Sequence, residues 1–120
     1  IFQSNISGSS EYHEIDLATG QWRQITNAEV DIVGPVLSPS GEWIAGYANV
    51  DIPYWIVVRY STGDLLTGTR GVASDWVNDE TIIYHRRLSD DALPSVFILN
   101  PFTNDETMIL QSGQWAAVYP

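Results

Sequence analysis

Cysteine and lysine are both absent from this sequence of 120 residues. Without cysteine there is no disulfide framework, no thiol nucleophile and no cysteine-based zinc site. The five basic residues are all arginines, and they stand against 15 acidic residues, so the net charge is −10. Nucleic-acid binding needs clustered basic side chains that displace counterions from phosphates, and Arg86-Arg87 is the only such pair. The composition excludes nucleic acid as a partner and suits solubility or a basic partner.

Long apolar runs are missing as well. No stretch approaches the ~20 residues that a membrane-spanning helix requires, so we expect no membrane insertion. Hydrophobic residues still make up 44% of the chain and aromatic residues 12%, which is enough to bury a core. No window of about 11 residues keeps a helical apolar stripe without an intervening Gly or Pro. The chain therefore reads as a folded domain built from strands.

A turn phrase recurs at three places along the chain. Its last residue is Gly20, Gly63 and Asn104 in turn, and these positions are 43 and 41 residues apart. Two further turns, Pro39-Ser40-Gly41 and Asn78-Asp79, lie between the phrases and are flanked by apolar runs. Pro presets φ, and Gly or Asn tolerates a positive φ, so each of these positions predicts a tight turn between strands.

These turns divide the chain into short strands in groups of four. The predicted strands are 1–5, 11–17, 21–26, 32–38, 42–48, 54–60, 64–68, 72–77, 80–86, 95–100, 106–110 and 115–119. Four strands per period of about 40 residues are typical of propeller blades, which bury their faces against one another. A β-sandwich also has short strands but does not predict the same turn phrase at matching spacing. The sequence therefore predicts an all-β fold of β-propeller blades, each with four antiparallel strands.

The motifs resemble the TolB-like (WD40-like) β-propeller repeat. That family's Ser-Pro-Asp-Gly turn, followed by an Ile-Ala strand, is similar to residues 37–45, and its Asp-Leu-x-Thr-Gly phrase with Arg-x-Leu-Thr is similar to residues 16–26. The chain departs from the pattern where Ser40 replaces Asp, where Asn78-Asp79 lacks Ser-Pro, and where Asn104 ends the last phrase. The Gly-His and Trp-Asp signals of WD40 repeats proper are missing, so that family is a poorer match.

The resemblance implies a non-enzymatic scaffold for protein or peptide interaction, located in the periplasm or secreted. Propellers host many functions, so two alternatives stay open. In one, the chain is part of the propeller that gates a prolyl-oligopeptidase-type serine peptidase, with the catalytic residues in a separate domain. In the other, it is a self-assembling repeat module with a structural role.

The register of the repeat predicts two complete blades and a third that is split between the termini. Residues 32–68 and 72–110 each supply the four strands, A to D, of one blade. Residues 1–26 supply strands B to D of the split blade, and residues 115–119 supply its strand A. Three blades leave apolar faces and strand edges open. We therefore expect either further blades of a parent chain or a homodimer to complete the ring.

The longer loops, those between blades and between strands B and C, share one face of a propeller, and binding normally concentrates on such loops. Their acidic side chains would attract a basic protein or peptide. Tyr54-Trp55, at a loop–strand junction, is the best-placed exposed aromatic pair, although core packing competes as its role. Core packing is the expected role of Trp22, Trp43 and Trp76. The candidate partner-binding residues are Glu29, Asp31, Asp51, Tyr54, Trp55, Asp90 and Asp91.

No constellation in the sequence predicts catalysis or metal binding. His13 and His85 lie on different predicted strands, without the spacing of a zinc site. Asp90-Asp91 lacks the spaced pattern of a calcium loop. There is no G-x-S-x-G nucleophile elbow. We therefore expect no enzymatic activity, metal ion or cofactor in this chain.

Overall fold

The computed structural model describes residues 1–6, 8–89 and 91–110, which form eleven β-strands and no helix. The strands are β1 (Phe2–Ser4), β2 (Glu11–Ile15), β3 (Trp22–Gln24), β4 (Ile32–Leu37), β5 (Trp43–Ala48), β6 (Tyr54–Arg59), β7 (Leu65–Arg70), β8 (Val72–Asn78), β9 (Thr81–Arg86), β10 (Ser95–Leu99) and β11 (Glu106–Leu110). Their bounds agree with the predicted strands to within two residues. The twelfth predicted strand, 115–119, lies outside the described residues. In the described part of the chain, no helix is present that could cross a membrane.

The strands form three antiparallel sheets in which sequence neighbours are also spatial neighbours. Sheet 1 has the order β1-β2-β3, sheet 2 the order β4-β5-β6-β7 and sheet 3 the order β8-β9-β10-β11. The predicted all-β fold is confirmed, and these sheets have the form of propeller blades. The assignment of 115–119 to the blade of sheet 1, and with it the division of the chain into blades, stays a prediction.

Two apolar clusters join the sheets face to face, with sheet 2 in the middle. Tyr12 and Ile25 from the sheet 1 segment pack with Ile44 and Ile56 of sheet 2. Between sheets 2 and 3, the cluster consists of Ala45, Trp55, Val57, Ala73, Trp76, Ile82, Tyr84, Phe97 and Leu99. Because both faces of β6 are buried, its sequence contains a continuous apolar run and does not alternate between apolar and polar residues.

Each interface between sheets also contains a hydrogen bond from an aromatic side chain to the backbone of β4. The Tyr12 hydroxyl donates to the Val33 carbonyl oxygen at 2.9 Å, and the Trp76 indole N–H donates to the Val36 carbonyl oxygen at 2.9 Å. Buried polar atoms need such partners. The two bonds therefore fix sheets 1 and 3 against opposite faces of the same strand.

The repeated turn phrase has the same geometry in all three sheets. Gly20, Gly63 and Asn104 have φ values of 72°, 76° and 66°. Their backbone N–H groups donate to the carbonyl oxygens four residues earlier, at 2.7, 2.7 and 2.8 Å. In each turn a threonine precedes the Gly or Asn. Its side-chain hydroxyl accepts a hydrogen bond from the backbone N–H of the residue that follows the Gly or Asn. The phrase recurs because a positive φ and a turn hydrogen bond are needed at the same place in every sheet.

Candidate functional site

The predicted binding loops come together at one end of the stack, which we call the loop face (residues 5–6, 8–10, 27–31, 49–53, 70–71, 87–89 and 91–94). Asp31 links three of its segments. Its carboxylate accepts from the Ser10 N–H at 2.7 Å, and its carbonyl oxygen accepts from the Asn49 N–H at 2.7 Å. The Gly71 N–H donates to the Pro53 carbonyl oxygen at 2.8 Å. These hydrogen bonds join neighbouring loops into one continuous surface.

A buried carboxylate shapes the part of the loop face that carries Glu29. Glu11 has no exposed surface, and its oxygens accept from the Ala28 N–H at 2.9 Å and the Glu29 N–H at 3.0 Å. They also accept from the hydroxyls of Ser9 and Thr26, at 2.7 and 2.8 Å. Burial alone would raise the pKa of Glu11, but these hydrogen bonds to its charged form outweigh burial and lower it.

The hydrogen bonds to the Glu11 carboxylate from Ser9, Thr26, Ala28 and Glu29 are called the Glu11 clamp. The side chain of Glu29 lies outside this clamp. Glu29 has a φ of 61°, in the left-handed region that few side chains adopt, and its side chain is exposed. Residues held in this region persist when surrounding contacts determine the backbone, here through the bond from the Glu29 N–H to Glu11. The clamp therefore orders the loop and leaves the Glu29 side chain in solvent.

Two pockets open on the loop face. One, of about 340 Å³, is lined by Gln3, Ser4, Asn5, Ser10, Asp31, Val33 and Asn49. The other, of about 270 Å³, is lined by Asp51, Pro53, Arg70, Gly71, Val72, His85, Arg86, Arg87 and Pro94. Three of the five arginines of the chain thus lie beside Asp51. The loop face is mixed in charge at this pocket and is acidic toward Asp31 and Glu29.

The arginines at this pocket are tied to the fold. Arg86 donates to Glu106 and to the Tyr84 hydroxyl, each at 3.2 Å, and its guanidinium lies 4.4 Å from the centre of the Phe97 ring. Burial, followed by the bond to Glu106, raises the pKa of Tyr84 to about 12. Arg87 donates to the Ala92 carbonyl oxygen at 3.2 Å and so braces its own loop. Burial lowers the pKa of His85, which favours its neutral form.

The predicted site residues are not all at the surface. Asp31, Asp51, Asp91 and Glu29 are exposed loop residues, whereas Asp90 lies outside the described residues. Tyr54 is half-buried and packs against the cluster of sheets 1 and 2. Trp55 is only 2% exposed and lies in the core between sheets 2 and 3. A role for Trp55 as an exposed binding residue is therefore wrong, because β6 buries both of its faces and core packing accounts for its position.

The exposure of the other tryptophans depends on which face of its sheet carries each one. Trp76 is buried and Trp43 packs against the same cluster, as predicted. Trp22 is 51% exposed, so its predicted core role is wrong for the described residues. It lies on the outer face of sheet 1, where no described element packs against it.

Sequence reasoning missed a pocket of about 440 Å³ at the opposite end of the stack. This end carries the tight turns and is called the turn face (residues 16–21, 38–42, 60–64, 79–80 and 100–105). The pocket is lined by Glu42, Trp43, Asp79, Glu80, Asn100, Phe102 and Thr103. Its lining comes from three separate turns, so only the fold brings these residues together.

Two contacts show how this turn-face pocket is held. The Ser40 N–H donates to Asp79 at 2.9 Å, and this backbone bond is the main cause of the lowered pKa of Asp79. The rings of Trp43 and Phe102 are 4.8 Å apart. Asp79 thus links the turns of sheets 2 and 3, which gives it a structural role.

The described residues do not bring metal-binding groups together. Within residues 1–6, 8–89 and 91–110, no cluster of three His, Asp or Glu side chains has the arrangement of a metal site. The arrangement offers loops of fixed shape, hydrogen-bonding groups and mixed charge. Such a surface is suited to binding.

Comparison with known proteins supports the fold. No family model matches the sequence, and no curated protein does. Among solved structures, eleven chains match, including TolB from Acinetobacter baumannii, with a TM-score of 0.64 over 88% of this chain and 18% sequence identity. The chain spans 28% of the length of that protein. The similarity shows a shared β-propeller fold.

Proposed function

We propose that this chain is part of a β-propeller scaffold that binds a protein or peptide through its loop face and catalyses no reaction. The observation that carries this proposal is the convergence of loops from all three sheets on one surface. Asp31 and the Glu11 clamp fix the loops of sheets 1 and 2, and the sheet 3 loop lines a pocket with residues 51 and 53 of sheet 2. A pre-ordered surface binds with little cost in conformational entropy. Loops on a rigid scaffold are the usual place for recognition.

The preferred partner is basic. Glu29, Asp31, Asp51 and Asp91 are exposed on the loop face of a chain whose net charge is −10. Opposite charge on a partner speeds encounter and fixes its orientation. The arginines beside Asp51 limit the acidic part of the surface and would select against a uniformly basic partner at that end. The resemblance of the repeat motifs to TolB-like propellers supports a location in the periplasm or outside the cell.

The test uses a fluorescein-labelled peptide of alternating Lys and Ala as the probe, with a Glu–Ala peptide as the control. Fluorescence anisotropy measures binding to the 120-residue chain and to the variant Glu29→Lys/Asp51→Lys/Asp91→Lys. We expect this variant to bind the Lys–Ala peptide about tenfold more weakly, since like charges then face each other.

A matched control variant separates the site from overall charge. Asp64→Lys/Glu80→Lys/Asp105→Lys changes three exposed turn-face residues and raises the net charge by the same amount. It should weaken binding less than about twofold, because screening removes most of the effect of distant charges. If both variants lose affinity equally, only net charge matters and the loop face is not the binding site.

A further inference from the structure

Glu29 occupies a backbone conformation that the chain otherwise gives to glycine or asparagine. Among the described residues, the positive φ angles belong to six glycines, to Asn104 at 66° and to Glu29 at 61°. Glycine adopts this left-handed region without a steric cost, and the short side chain of asparagine tolerates it. A glutamate has neither advantage, so its Cβ is crowded against the following carbonyl oxygen. Strain that the fold maintains points to a function of the residue that carries it.

The loop around Glu29 is held on both sides, and these contacts maintain the strained backbone. Ala28 and Val30 pack against the apolar cluster of sheets 1 and 2. The N–H groups of Ala28 and Glu29 donate to the buried carboxylate of Glu11, at 2.9 and 3.0 Å. Between these anchors the Glu29 side chain is exposed. The loop therefore presents one carboxylate to solvent from a fixed position.

Hydrogen bonding within the described part of the chain does not account for a glutamate at this position. The Glu29 carboxylate forms no hydrogen bond or ion pair with another described residue, whereas the Asp31 carboxylate accepts from the Ser10 N–H at 2.7 Å. The contact that orders the loop at Glu29 comes from its backbone N–H, which glycine also has. Glycine would keep the Glu11 clamp and relieve the strain, and only the exposed carboxylate would be lost.

We propose that Glu29 is the specificity-determining residue of the loop face and that its carboxylate binds a cationic side chain of the peptide partner. This inference rests on the proposed function and deepens it, because it assigns the recognition of charge to one residue. A carboxylate on an ordered loop pairs with an ammonium or guanidinium group at a smaller loss of conformational entropy than one on a mobile loop. Asp51 lies beside three arginines, which offset its charge.

The test measures stability and affinity in the same variants, because the two should change in opposite directions. Glu29→Gly should raise the melting temperature by about 2–5 °C, since glycine relieves the strain. The same variant should bind the fluorescein-labelled Lys–Ala peptide about threefold more weakly, since one exposed charge pair is lost. Glu29→Gln keeps the length of the side chain and should lose the same affinity without the gain in melting temperature. An Arg–Ala peptide in the same assay shows whether a guanidinium group binds as tightly as an ammonium group.

Matched variants separate Glu29 from general effects of charge and backbone. Asn104→Gly changes the other non-glycine residue with a positive φ, which lies on the turn face, and it should leave the affinity unchanged. Asp51→Asn and Asp91→Asn each remove one charge from the loop face. Each should weaken binding less than about 1.5-fold, because solvent and salt screen charges that do not contact the peptide.

Two results would overturn this inference and leave the proposed function intact. One is an equal loss of affinity in Glu29→Gln, Asp51→Asn and Asp91→Asn, which would assign recognition to the acidic surface as a whole. The other is a melting temperature that does not rise in Glu29→Gly, which would show that the glutamate is not strained. If the wild-type chain binds neither peptide, the proposed function fails and this inference fails with it.

Discussion

Gly46 lies directly beneath the phenol of Tyr12, where no side chain fits. A Cβ on Gly46 would stand 1.8 Å from the Tyr12 hydroxyl oxygen and 2.7 Å from the Val33 carbonyl oxygen. Tyr12 is fully buried, and its hydroxyl donates to that same carbonyl. The docking of sheet 1 on sheet 2 therefore depends on a bare backbone position in β5.

Replacing Gly46 should destabilise the fold through overpacking. We expect Gly46→Ala to lower the free energy of unfolding by about 1–3 kcal/mol, measured by urea denaturation. Tyr12→Phe removes the atom closest to the new methyl group. The double variant should therefore be more stable than the sum of the two single effects predicts, by at least ~0.5 kcal/mol. Strict additivity would show that the two residues are not in contact.

The turn glycines provide a matched pair that isolates the contact between sheets 1 and 2. Gly20 and Gly63 both have a positive φ, so alanine at either position costs about 1–2 kcal/mol. A Cβ on Gly63 would also lie 2.1 Å from the Ile25 carbonyl oxygen, whereas Gly20 has nothing within 4 Å. Thermal unfolding should show a larger loss for Gly63→Ala. Equal losses would mean that the turn of sheet 2 does not pack against Ile25.

Two buried tryptophans of one cluster differ in their hydrogen bonds. The Trp76 indole N–H donates to the Val36 carbonyl oxygen, whereas no acceptor among the described residues reaches the Trp55 indole nitrogen. Both substitutions by Phe remove similar apolar volume. Trp76→Phe should cost about 1 kcal/mol more in chemical denaturation than Trp55→Phe, because it leaves a buried carbonyl oxygen unpaired. A greater loss for Trp55→Phe would contradict this assignment.

Glu11 gives stability a specific dependence on pH. Its folded-state pKa is lowered from the ordinary 4.5, so the native state favours the charged carboxylate. This contribution is fully present above pH 4.5 and is lost as pH falls from there through the lowered pKa. Glu11→Gln should therefore reduce stability at pH 7, and its difference from wild type should shrink below pH 4.5. A difference that stays constant on acidification would show that the carboxylate charge has no role.

Much of the fold was predictable because turn chemistry repeats with it. Gly20, Gly63 and Asn104 mark the same turn in each sheet, and their spacing, together with the turns between them and the flanking apolar runs, located the strands. The geometry behind that signal is local, since a positive φ and a threonine hydroxyl lie within a few residues of each other. Local requirements of this kind are visible in a single sequence.

The candidate site was less predictable because it depends on which faces are covered. Trp22 and Trp55 look alike in sequence, yet Trp22 is exposed on an outer sheet face and Trp55 is enclosed between two sheets. No sequence pattern marks Glu11, because its partners at Thr26, Ala28 and Glu29 lie about 15 or more residues away along the chain. Long-range pairing of this kind leaves no mark in composition or periodicity.

The most direct test of the account is a ¹⁵N NMR titration of the chain with the Lys–Ala peptide. The account predicts that amide shifts concentrate on the loop face, at residues 27–31 and 49–53 above all, while the turn face stays unchanged. Shifts centred on residues 38–42 and 100–105 of the turn face would contradict it, as would shifts spread evenly over both ends of the stack.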